Sequence, residues 1–375
     1  MPPELVKPDP VFDPPYTVET PQGSEMVING RRYNPYFGGG SYFGLHADER
    51  LMQAGIRAWR AYGHGMSGGN SPVHVQVVEE AARFFGAAAA AYMGSGFLVN
   101  FSGAQALRDD GAFDVVFLDE HAHYSVNLAA AAIGAPVHRF VHMDPEDLKS
   151  QLGKHLQPSQ RPLVMSDGLF PARGRIAPVP DYVEILEPYE GSLWLDDAHG
   201  IGILGANGRG TYEHFGLAAG ERMLFGGSMA KAFGGFGGVI TGSVNFIERV
   251  RGGPVGNGAS PPPVPAAAAT LTAMQLLAAN PGWREGLWAN ARLLKEGISG
   301  LGFEVEPTDV PIVAIALDSM ERMRRVHRSI LERGIMIQHI FYPGAGSDGM
   351  LRMVVTSDHT REHIGRLIEE LGQLL

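Results

Sequence analysis

The sequence predicts an α/β protein, with a large domain built on a mostly parallel sheet and a smaller α+β domain after it. Between about residues 46 and 250, short apolar runs alternate with segments of helical spacing. Each run has the length of a buried strand and ends at a small or polar residue. Strand–helix alternation of this kind is typical of a parallel sheet sandwiched by helices.

Seven apolar runs are predicted to be strands of this sheet. They are AAAAAYMGS (87–95), DVVFLD (114–119), VHRFV (137–141), RPLVMS (161–166), SLWLDD (192–197), RMLFGGS (222–228) and GGVITGS (237–243). Segments such as VHVQVVEEAARFFG and PDYVEILEPYE, which lie between strands or before the first, have helical spacing. Because parallel strands present their carboxyl ends at one edge, we expect a ligand site among the polar residues there.

The stretch GGPVGNGASPPPVPAAAA predicts a domain boundary, because its glycines and prolines interrupt the alternation. We expect an N-terminal arm over residues 1–45, a large domain over 46–255 and a small C-terminal domain over 256–375. The elements predicted in the small domain are a long helix from about Pro265 to Gly302, a strand at VPIVAIAL, a helix from Ser319 to Arg333, strands at MIQHIFYP and LRMVVT, and a final helix from Thr360.

Composition excludes several kinds of site and partner. The net charge of −10 argues against nucleic acid or an anionic membrane as the main partner. The chain has no cysteine, so disulfides, thiolate metal sites and cysteine nucleophiles are excluded. No apolar stretch reaches the roughly 20 residues of a spanning helix, and the N-terminus lacks the apolar run of a signal peptide. We therefore expect a cytoplasmic protein.

The segment GGSMAKAFGGFGG (226–238) places Lys231 in an apolar, glycine-rich setting after a predicted strand. Desolvation lowers the pKa of a lysine and makes its amine a better nucleophile. Schiff-base chemistry needs such an amine and space for a flat ring. Ser228 lies three residues earlier, where its hydroxyl could donate to a phosphate. Taken alone, the segment also fits a surface lysine in a flexible loop.

The segment SLWLDDAHGIGILGANGRG (192–210) brings Asp196 and His199 to the carboxyl edge of the predicted sheet. A carboxylate there can keep a pyridinium nitrogen protonated, which makes the ring an electron sink. A histidine three residues later could bond the phenolic oxygen of the same ring. The alternative is an aspartate that caps a helix, followed by a core histidine.

The segment DVVFLDEHAHYS (114–125) ends a strand with Asp119, Glu120, His121 and His123. His-x-His beside acidic residues is also metal-ligand spacing, so a metal-dependent hydrolase is a rival from another class. That interpretation leaves Lys231 and its glycines unexplained. In the Schiff-base interpretation, His123 stacks on the face of the cofactor ring.

Two glycine-containing turns have the composition of anion sites. Gly94, Ser95 and Gly96, in AYMGSGFLVN, stand between a predicted strand and a predicted helix, where exposed amides bind phosphate well. The alternative is an ordinary strand–helix turn. The segment GHGMSG (63–68) fits G-x-G-x-x-G, but no strand precedes it closely, so it is a weak dinucleotide site.

In this order and spacing, the segments around Lys231, Asp196, His123 and Ser95 resemble the α-oxoamine synthase family of fold-type I pyridoxal 5′-phosphate (PLP) enzymes. The best-matching stretches, DDAHGIGILGANGRG and SMAKAFGGFGG, are similar to the family's DDAHGxGxLGxxGRG and TxSKAFGGxGG. The resemblance runs from about Tyr42 to the end of the chain. It implies a fold-type I PLP-dependent transferase.

The resemblance also implies the role of each matching residue. Lys231 would hold PLP as a Schiff base, Asp196 would pair with the pyridine nitrogen and His199 with the ring oxygen. His123, in the match to DxxxHAS, would stack on the ring. Arg352, in LRMVVTSDHT, would bind the carboxylate of an amino acid, a task for which a guanidinium fork is suited.

The remaining matches imply a phosphate site and a second subunit. Ser95, Gly96 and Phe97 match the phosphate turn of the family's SGYxxN, and Ser228 matches a phosphate-binding Thr or Ser. Ser260, in ASPPPVP, is similar to a residue that reaches the phosphate of the neighbouring subunit. We therefore expect a homodimer.

Three segments depart from the family pattern. NDYLGL reads GSYFGL here (40–45) and lacks the Asn, and GSGGSRxxxG is shortened to GHGMSGGNSP without the Arg. VFSMDGD reads LFPARGR (169–175), so Pro171 replaces a Ser near the ring. In the family these segments shape the amino-acid and acyl-thioester sites, so the substrate half of the site is altered.

The resemblance implies a PLP-dependent acyltransferase with Lys231, His123, Asp196 and His199 as catalytic residues. An amino acid would form an external aldimine, and its Cα carbanion would condense with an acyl thioester on CoA or a carrier protein. Loss of carbon dioxide would give an α-aminoketone. Because the substrate segments are altered, another PLP reaction stays open, namely that of an aminotransferase, decarboxylase, racemase or aldolase. A non-catalytic PLP-binding protein or a scaffold are further alternatives.

Overall fold

A computed structural model describes residues 17–65 and 69–375 of the chain. The first sixteen residues of the expected N-terminal arm, and residues 66–68 of the GHGMSG segment, lie outside the described residues. The described chain divides into two compact units. The large unit is Glu49–Phe170 with Ile176–Ala279, and the small unit is 17–48 with Pro171–Arg175 and Asn280–Leu375.

The described residues form short strands and helices throughout. The strands are β1 Met26–Ile28, β2 Arg31–Tyr33, β3 Ala89–Met93, β4 Val115–Asp119, β5 Val137–Phe140, β6 Pro162–Asp167, β7 Leu169–Phe170, β8 Arg175–Ile176, β9 Ser192–Asp196, β10 Met223–Ser228, β11 Gly238–Gly242, β12 Ile312–Ile315, β13 Gln338–Ile340 and β14 Met350–Val354. The helices are α1 Glu49–Tyr62, α2 Pro72–Phe85, α3 Gly96–Asp109, α4 Tyr124–Ala132, α5 Pro145–His155, α6 Val179–Leu186, α7 Thr211–His214, α8 Val244–Gly252, α9 Pro254–Gly258, α10 Val264–Ala279, α11 Gly282–Gly300, α12 Met320–Glu332 and α13 Arg361–Gly372.

The large unit is built on a seven-stranded sheet with the order β3-β11-β10-β9-β6-β4-β5. The neighbouring strands from β10 to β5 are parallel, and β11 is antiparallel to both of its neighbours. All seven predicted strands are present in this sheet. Strands β4, β6 and β9 are buried along their whole length, which is why they appear as continuous apolar runs in the sequence. The predicted α/β fold class is confirmed.

Helix α3 packs closely against the sheet through a glycine. The fully buried Trp194 of β9 belongs to the same apolar cluster as Val99 and Leu107 of this helix. At Gly103, a Cβ atom would lie only 1.9 Å from Cη2 of Trp194. The absence of a side chain at this position therefore gives the indole ring its space.

Four strands of the large sheet end in polar residues at the same edge. Strand β4 ends at Asp119, β6 at Asp167, β9 at Asp196 and β10 at Ser228. Asp167 lies directly opposite Asp196 in the parallel register of β6 and β9. This carboxyl edge is where the sequence analysis expects a ligand site.

The small unit contains an antiparallel sheet with the order β12-β14-β13. Alternate residues of β14, among them Leu351 and Met353, belong to an apolar core that includes residues of α11, α12 and α13. The hairpin of β1 and β2 joins this unit, because Met26 and Ile28 cluster with Met336. No helix in the described part of the chain is both long and apolar enough to cross a bilayer.

The predicted helix from Pro265 to Gly302 is wrong as a single helix, because it breaks into α10 and α11 around Pro281, whose ring prevents the helix from continuing.

The units differ from the expected domains in three respects. Residues Pro171–Arg175 group with the small unit and not with the large one. Helix α10 packs on α1 and α2 and so belongs to the large unit, beyond the expected boundary at residue 255. The described part of the arm contains the hairpin and groups with the C-terminal part of the chain.

We expect Gly103→Ala to destabilise the protein by about 1–3 kcal/mol, because the added methyl group would overlap the buried ring of Trp194. Gly153→Ala, in α5, is the matched control, because nothing lies within 4 Å of its added Cβ. This control should gain up to about 1 kcal/mol from the higher helix propensity of alanine. Equilibrium urea unfolding measures both changes, and equal effects would contradict the role assigned to Gly103.

Candidate functional site at the carboxyl edge

Asp196 is buried at the carboxyl end of β9, and three donors hold its carboxylate. One oxygen, Oδ2, accepts hydrogen bonds from Nδ2 of Asn100 at 2.7 Å and from Oγ of Ser125 at 3.3 Å. The other, Oδ1, accepts from the backbone nitrogen of Ala198 at 3.1 Å. A carboxylate offers about four acceptor positions, so there is capacity for one more donor such as a pyridinium N–H.

Asn100 is fixed in the orientation that Asp196 requires. Its Oδ1 accepts from Nε1 of Trp194 at 2.8 Å, so its Nδ2 must face Ser125 and Asp196. The sequence analysis did not select Asn100, although it occupies the last position of the SGYxxN match. The orienting partner of Asp196 therefore comes from the same segment as the predicted phosphate turn.

His123 stands beside Asp196 as the N-cap of α4. Its Nδ1 lies 2.5 Å from Oγ of Ser125 and 4.0 Å from Oδ2 of Asp196, so the ring is held at one edge. Burial lowers the pKa of His123, and the nearby Lys231 lowers the pKa further, while Asp196 raises it. The side chain keeps 27% of its surface exposed. These features favour a neutral imidazole that is available for stacking.

Asp167, which the sequence analysis also missed, is a second buried carboxyl group at this edge. Its Oδ1 accepts from the backbone nitrogen of His123 at 2.9 Å. Burial raises the pKa of Asp167 well above its ordinary value, and the neighbouring Asp196 raises it too, while Lys231 lowers it. The signal that selected Asp196, a polar residue at a strand end, applies equally to Asp167.

Lys231 and His199 are both half-buried in loops that follow strands of this edge. Lys231 lies in the loop between β10 and β11, and its charge acts on the pKa of His123 and of Asp167. His199 lies in the turn that follows Asp196. The structure therefore places the predicted Schiff-base lysine at the same edge as the predicted pyridine partner.

The turn at the start of α3 touches the end of β10. Ser95 is the N-cap of this helix, and its Oγ accepts from the backbone nitrogen of Phe97 at 3.0 Å. At Gly96, a Cβ would lie 2.7 Å from Cβ of Ser228, so only glycine allows this approach. The ring centroid of Phe97 is 6.4 Å from that of His123. The helix N-terminus and two serines thus form a surface suited to phosphate.

Ser260 lies next to this turn. Its carbonyl oxygen is 3.1 Å from the position that a Cβ of Gly94 would occupy. Ser260 itself is exposed, in the short stretch between α9 and α10. The predicted phosphate residues Ser95, Gly96, Phe97 and Ser228 are therefore brought together, and Ser260 stands at their border.

His121 and His123 do not share a site. The His121 ring lies 4.3 Å from that of His142, whose Nδ1 is 3.0 Å from Oδ1 of Asp119, whereas His123 faces Ser125. Within residues 17–65 and 69–375, no group of three or more His, Asp or Glu side chains is arranged to hold a metal ion. The metal-hydrolase interpretation therefore lacks a ligand set in the described chain.

Arg352 lies in the small unit, on β14. Its Nη1 donates to the carbonyl oxygen of Pro171 at 3.1 Å, and its Nη2 donates to Oε1 of Gln338 at 2.7 Å. Burial lowers the pKa of Arg352, and the neighbours that raise it are tyrosines, with Tyr42 first. No described carboxylate forms an ion pair with this guanidinium, and its buried Nε makes no hydrogen bond in the described chain. A desolvated cation of this kind favours an anionic ligand.

The electrostatic coupling at the carboxyl edge can be measured through His123. Lys231→Met removes a cation that lowers the pKa of His123, so this pKa should rise, and Asp196→Asn removes an anion that raises it, so it should fall. Histidine-selective NMR titration of the cofactor-free protein measures both shifts. Lys154→Met, on α5, is the control and should leave the titration unchanged.

The lowered pKa of His123 also affects the stability of the folded protein. Because the folded protein binds the His123 proton less readily than the unfolded chain, His123 should lower the stability as pH falls below its ordinary pKa of 6.5. A His123 pKa above 6.5 in the wild type would contradict the burial argument.

Comparisons of this chain with a family model and with known proteins agree on one family. The family model described as aminotransferase class I and II matches residues 37–371. The 8-amino-7-oxononanoate synthase of Alkaliphilus metalliredigens is 32% identical over 94% of this chain and 90% of its own. The serine palmitoyltransferase of Bacteroides ovatus is 31% identical over 94% and 90%.

The structure of the S. paucimobilis serine palmitoyltransferase with a bound PLP–myriocin aldimine is also similar to this chain. It is 26% identical and has a TM-score of 0.89, with 97% of this chain and 93% of that chain covered. This likeness confirms the predicted fold-type I architecture. The chain belongs to the aminotransferase class I and II family and, within it, to the α-oxoamine synthases.

Proposed function

We propose that this protein is a PLP-dependent acyltransferase that condenses an α-amino acid with an acyl thioester. The relatives named above are α-oxoamine synthases, which agrees with the function and the cofactor predicted from the sequence. The observation that carries the proposal is the buried Asp196, held by Asn100, Ser125 and Ala198 with capacity for one further donor. A buried carboxylate in this state fits a protonated pyridine nitrogen.

The residues of the carboxyl edge fit PLP. We assign the phosphate to the surface of Ser95, Gly96, Phe97 and Ser228, where the N-terminus of the 14-residue helix α3 favours an anion. Lys231, at the same edge, is assigned to the aldehyde carbon. The large unit is accordingly proposed as the PLP-binding domain and the small unit as the domain that supplies Arg352.

Each side chain around the ring has a defined task in this proposal. When bound, PLP supplies a conjugated ring that accepts the electron pair of a carbanion at Cα. Asp196 would hold a proton on the pyridine nitrogen, and Asn100 keeps that carboxylate in place. His123 would lie against the ring as a neutral imidazole, and His199 would bind the ring oxygen.

Lys231 and Arg352 act on the amino acid. Arg352 would bind the carboxylate through its guanidinium. The amino group of the substrate would take the place of Lys231 on the aldehyde carbon, and the freed amine of Lys231 would then remove the proton from Cα. The electron pair left on Cα would form a carbon–carbon bond to the acyl carbonyl while the carbon–sulfur bond breaks, and the leaving thiolate would take up a proton. Loss of the carboxyl group as carbon dioxide and return of a proton to Cα would give an α-aminoketone, with one net proton taken from the solvent.

Another PLP reaction on the amino acid is the second candidate, because Gly40 and Pro171 replace the family's Asn and Ser. An aminotransferase, decarboxylase, racemase or aldolase would use the same Asp196 and Lys231. The products separate the two candidates. Condensation releases one thiol and one carbon dioxide for each amino acid consumed, whereas none of the alternatives consumes a thioester.

We also propose a homodimer, in which Ser260 reaches the phosphate of the neighbouring subunit. The reach of Ser260 rests on the resemblance and on the exposure of this residue. The dimer itself is supported by three apolar side chains on one face of α1, Met52, Ile56 and Trp59, which are between 41% and 58% exposed. Exposed apolar residues at helical spacing are typical of an interface. A cytoplasmic location stays a prediction from the sequence.

Lys231 should carry the cofactor. Borohydride reduction of the PLP-loaded wild type should fix PLP on the peptide that contains Lys231, as seen by mass spectrometry, because hydride converts the Schiff base into a stable amine. Lys231→Ala should bind PLP without being labelled, and the surface variant Lys154→Ala should be labelled like the wild type. Labelling elsewhere, or none, would refute the assignment.

The Trp59→Glu variant tests the homodimer. A charge placed in an apolar interface should raise the dimer dissociation constant by at least tenfold, roughly the effect of a buried unpaired charge. Sedimentation velocity measures the fraction of dimer. Gln151→Glu, which adds the same charge on α5, should remain dimeric, and a monomeric wild type would exclude the proposal.

A further inference from the structure

The small-unit sheet presents a row of three residues beside the proposed carboxylate-binding arginine. In the antiparallel register, Arg352 of β14 lies directly opposite Ala314 of β12 on one side and Gln338 of β13 on the other. Residues directly opposite each other project from the same face of a sheet. The neighbouring positions Leu351 and Met353 project into the apolar core.

The orientation of the Gln338 amide follows from its hydrogen bonds. Its Oε1 accepts from Nη2 of Arg352 at 2.7 Å and from the backbone nitrogen of Gly39 at 3.4 Å. Arginine is only a donor, so the oxygen of the amide must face it, and the Nε2 group with its two N–H donors points elsewhere. Within the described chain, this Nε2 donates no hydrogen bond to another residue.

Arg352 donates to two acceptors that differ chemically, Pro171 and Gln338. Pro171 contributes a backbone carbonyl, which has no donor. Ala314, the residue opposite on β12, contributes only a methyl group. Gln338 is the neighbour that both accepts from the guanidinium and has donors of its own. An anion bound by Arg352 would therefore meet a second set of N–H donors on the same face of the sheet.

The geometry points to Gln338 as a second carboxylate-binding residue, which fixes the fork of Arg352 through Oε1 and donates to the amino-acid carboxylate through Nε2. This inference rests on the proposed function, since it concerns the amino acid that Arg352 binds. Two side chains, Arg352 and Gln338, would then recognise the free α-carboxylate together. Substrates that lack this carboxylate would gain nothing from Gln338.

The test measures binding to the PLP-loaded enzyme by absorption titration with L-serine, L-alanine and glycine. The matched amines ethanolamine, ethylamine and methylamine lack only the carboxylate. Gln338→Ala should weaken the binding of the amino acids about tenfold, the size of a hydrogen bond to a charged group, and leave the amines unchanged. Gln338→Glu should weaken them further, because its carboxylate would pair with Arg352 and repel the ligand.

The control is Gln373→Ala, because Oε1 of Gln373 also accepts from an arginine of the small unit, Arg333, at 3.1 Å. It should bind every probe like the wild type. The melting temperature and the cofactor absorption band show whether each variant is folded. If Gln338→Ala melts early, Gln338→Met, which keeps the side-chain volume, takes its place.

Gln338→Ala measured in an Arg352→Ala background shows whether Gln338 contacts the carboxylate directly or only positions Arg352. If Nε2 touches the carboxylate, Gln338→Ala still weakens amino-acid binding in this background. No further loss there, or equal losses for amino acids and amines, would overturn the inference and leave the proposed function intact. A wild type that binds none of the three amino acids would overturn the proposed function, and the inference with it.

Discussion

The carboxyl edge depends on a buried carboxylate at Asp196 that must be kept in one orientation. Burying a charge costs several kcal/mol unless hydrogen bonds compensate for the lost water. Here Asn100 supplies the shortest of those bonds, and Trp194 fixes the amide of Asn100. The indole ring in turn occupies space left by Gly103. A glycine in a helix thus supports, through two side chains, the position of the acid that the proposed cofactor needs.

The charges at this edge act on one another because parallel strands end side by side. Asp167 and Asp196 face each other across β6 and β9, and the charge of Asp196 raises the pKa of the buried Asp167. Lys231 partly relieves this repulsion, since its charge lowers the pKa of Asp167. The same charge lowers the pKa of His123, so one lysine opposes protonation of both groups.

Most of the fold, and most of the residues placed at the carboxyl edge, could be predicted from the sequence. The seven strands were predictable because each is an apolar run bounded by a small or polar residue. The helix break at Pro281 was also readable, since a proline stands inside the apparent helix. Asn100 and Gln338 were not, because their importance comes from partners distant in the chain, Asp196 and Arg352. Hydrogen bonds between distant segments leave no periodic signal in a sequence.

The altered segments need not loosen Arg352, the arginine proposed to bind the substrate. At Pro171 the family's serine hydroxyl is lost, yet the group that accepts from Arg352 is the backbone carbonyl, which every residue has. Proline also fixes its own φ angle, so the turn has fewer conformations to lose when the protein folds. The substitution therefore changes the side chain presented to a ligand while it keeps the anchor of the guanidinium. Gln338 differs from Pro171, because it holds the guanidinium of Arg352 through its side chain. This contact therefore depends on the residue type at position 338. Variation at position 338, more than at position 171, should alter how tightly a free carboxylate is held.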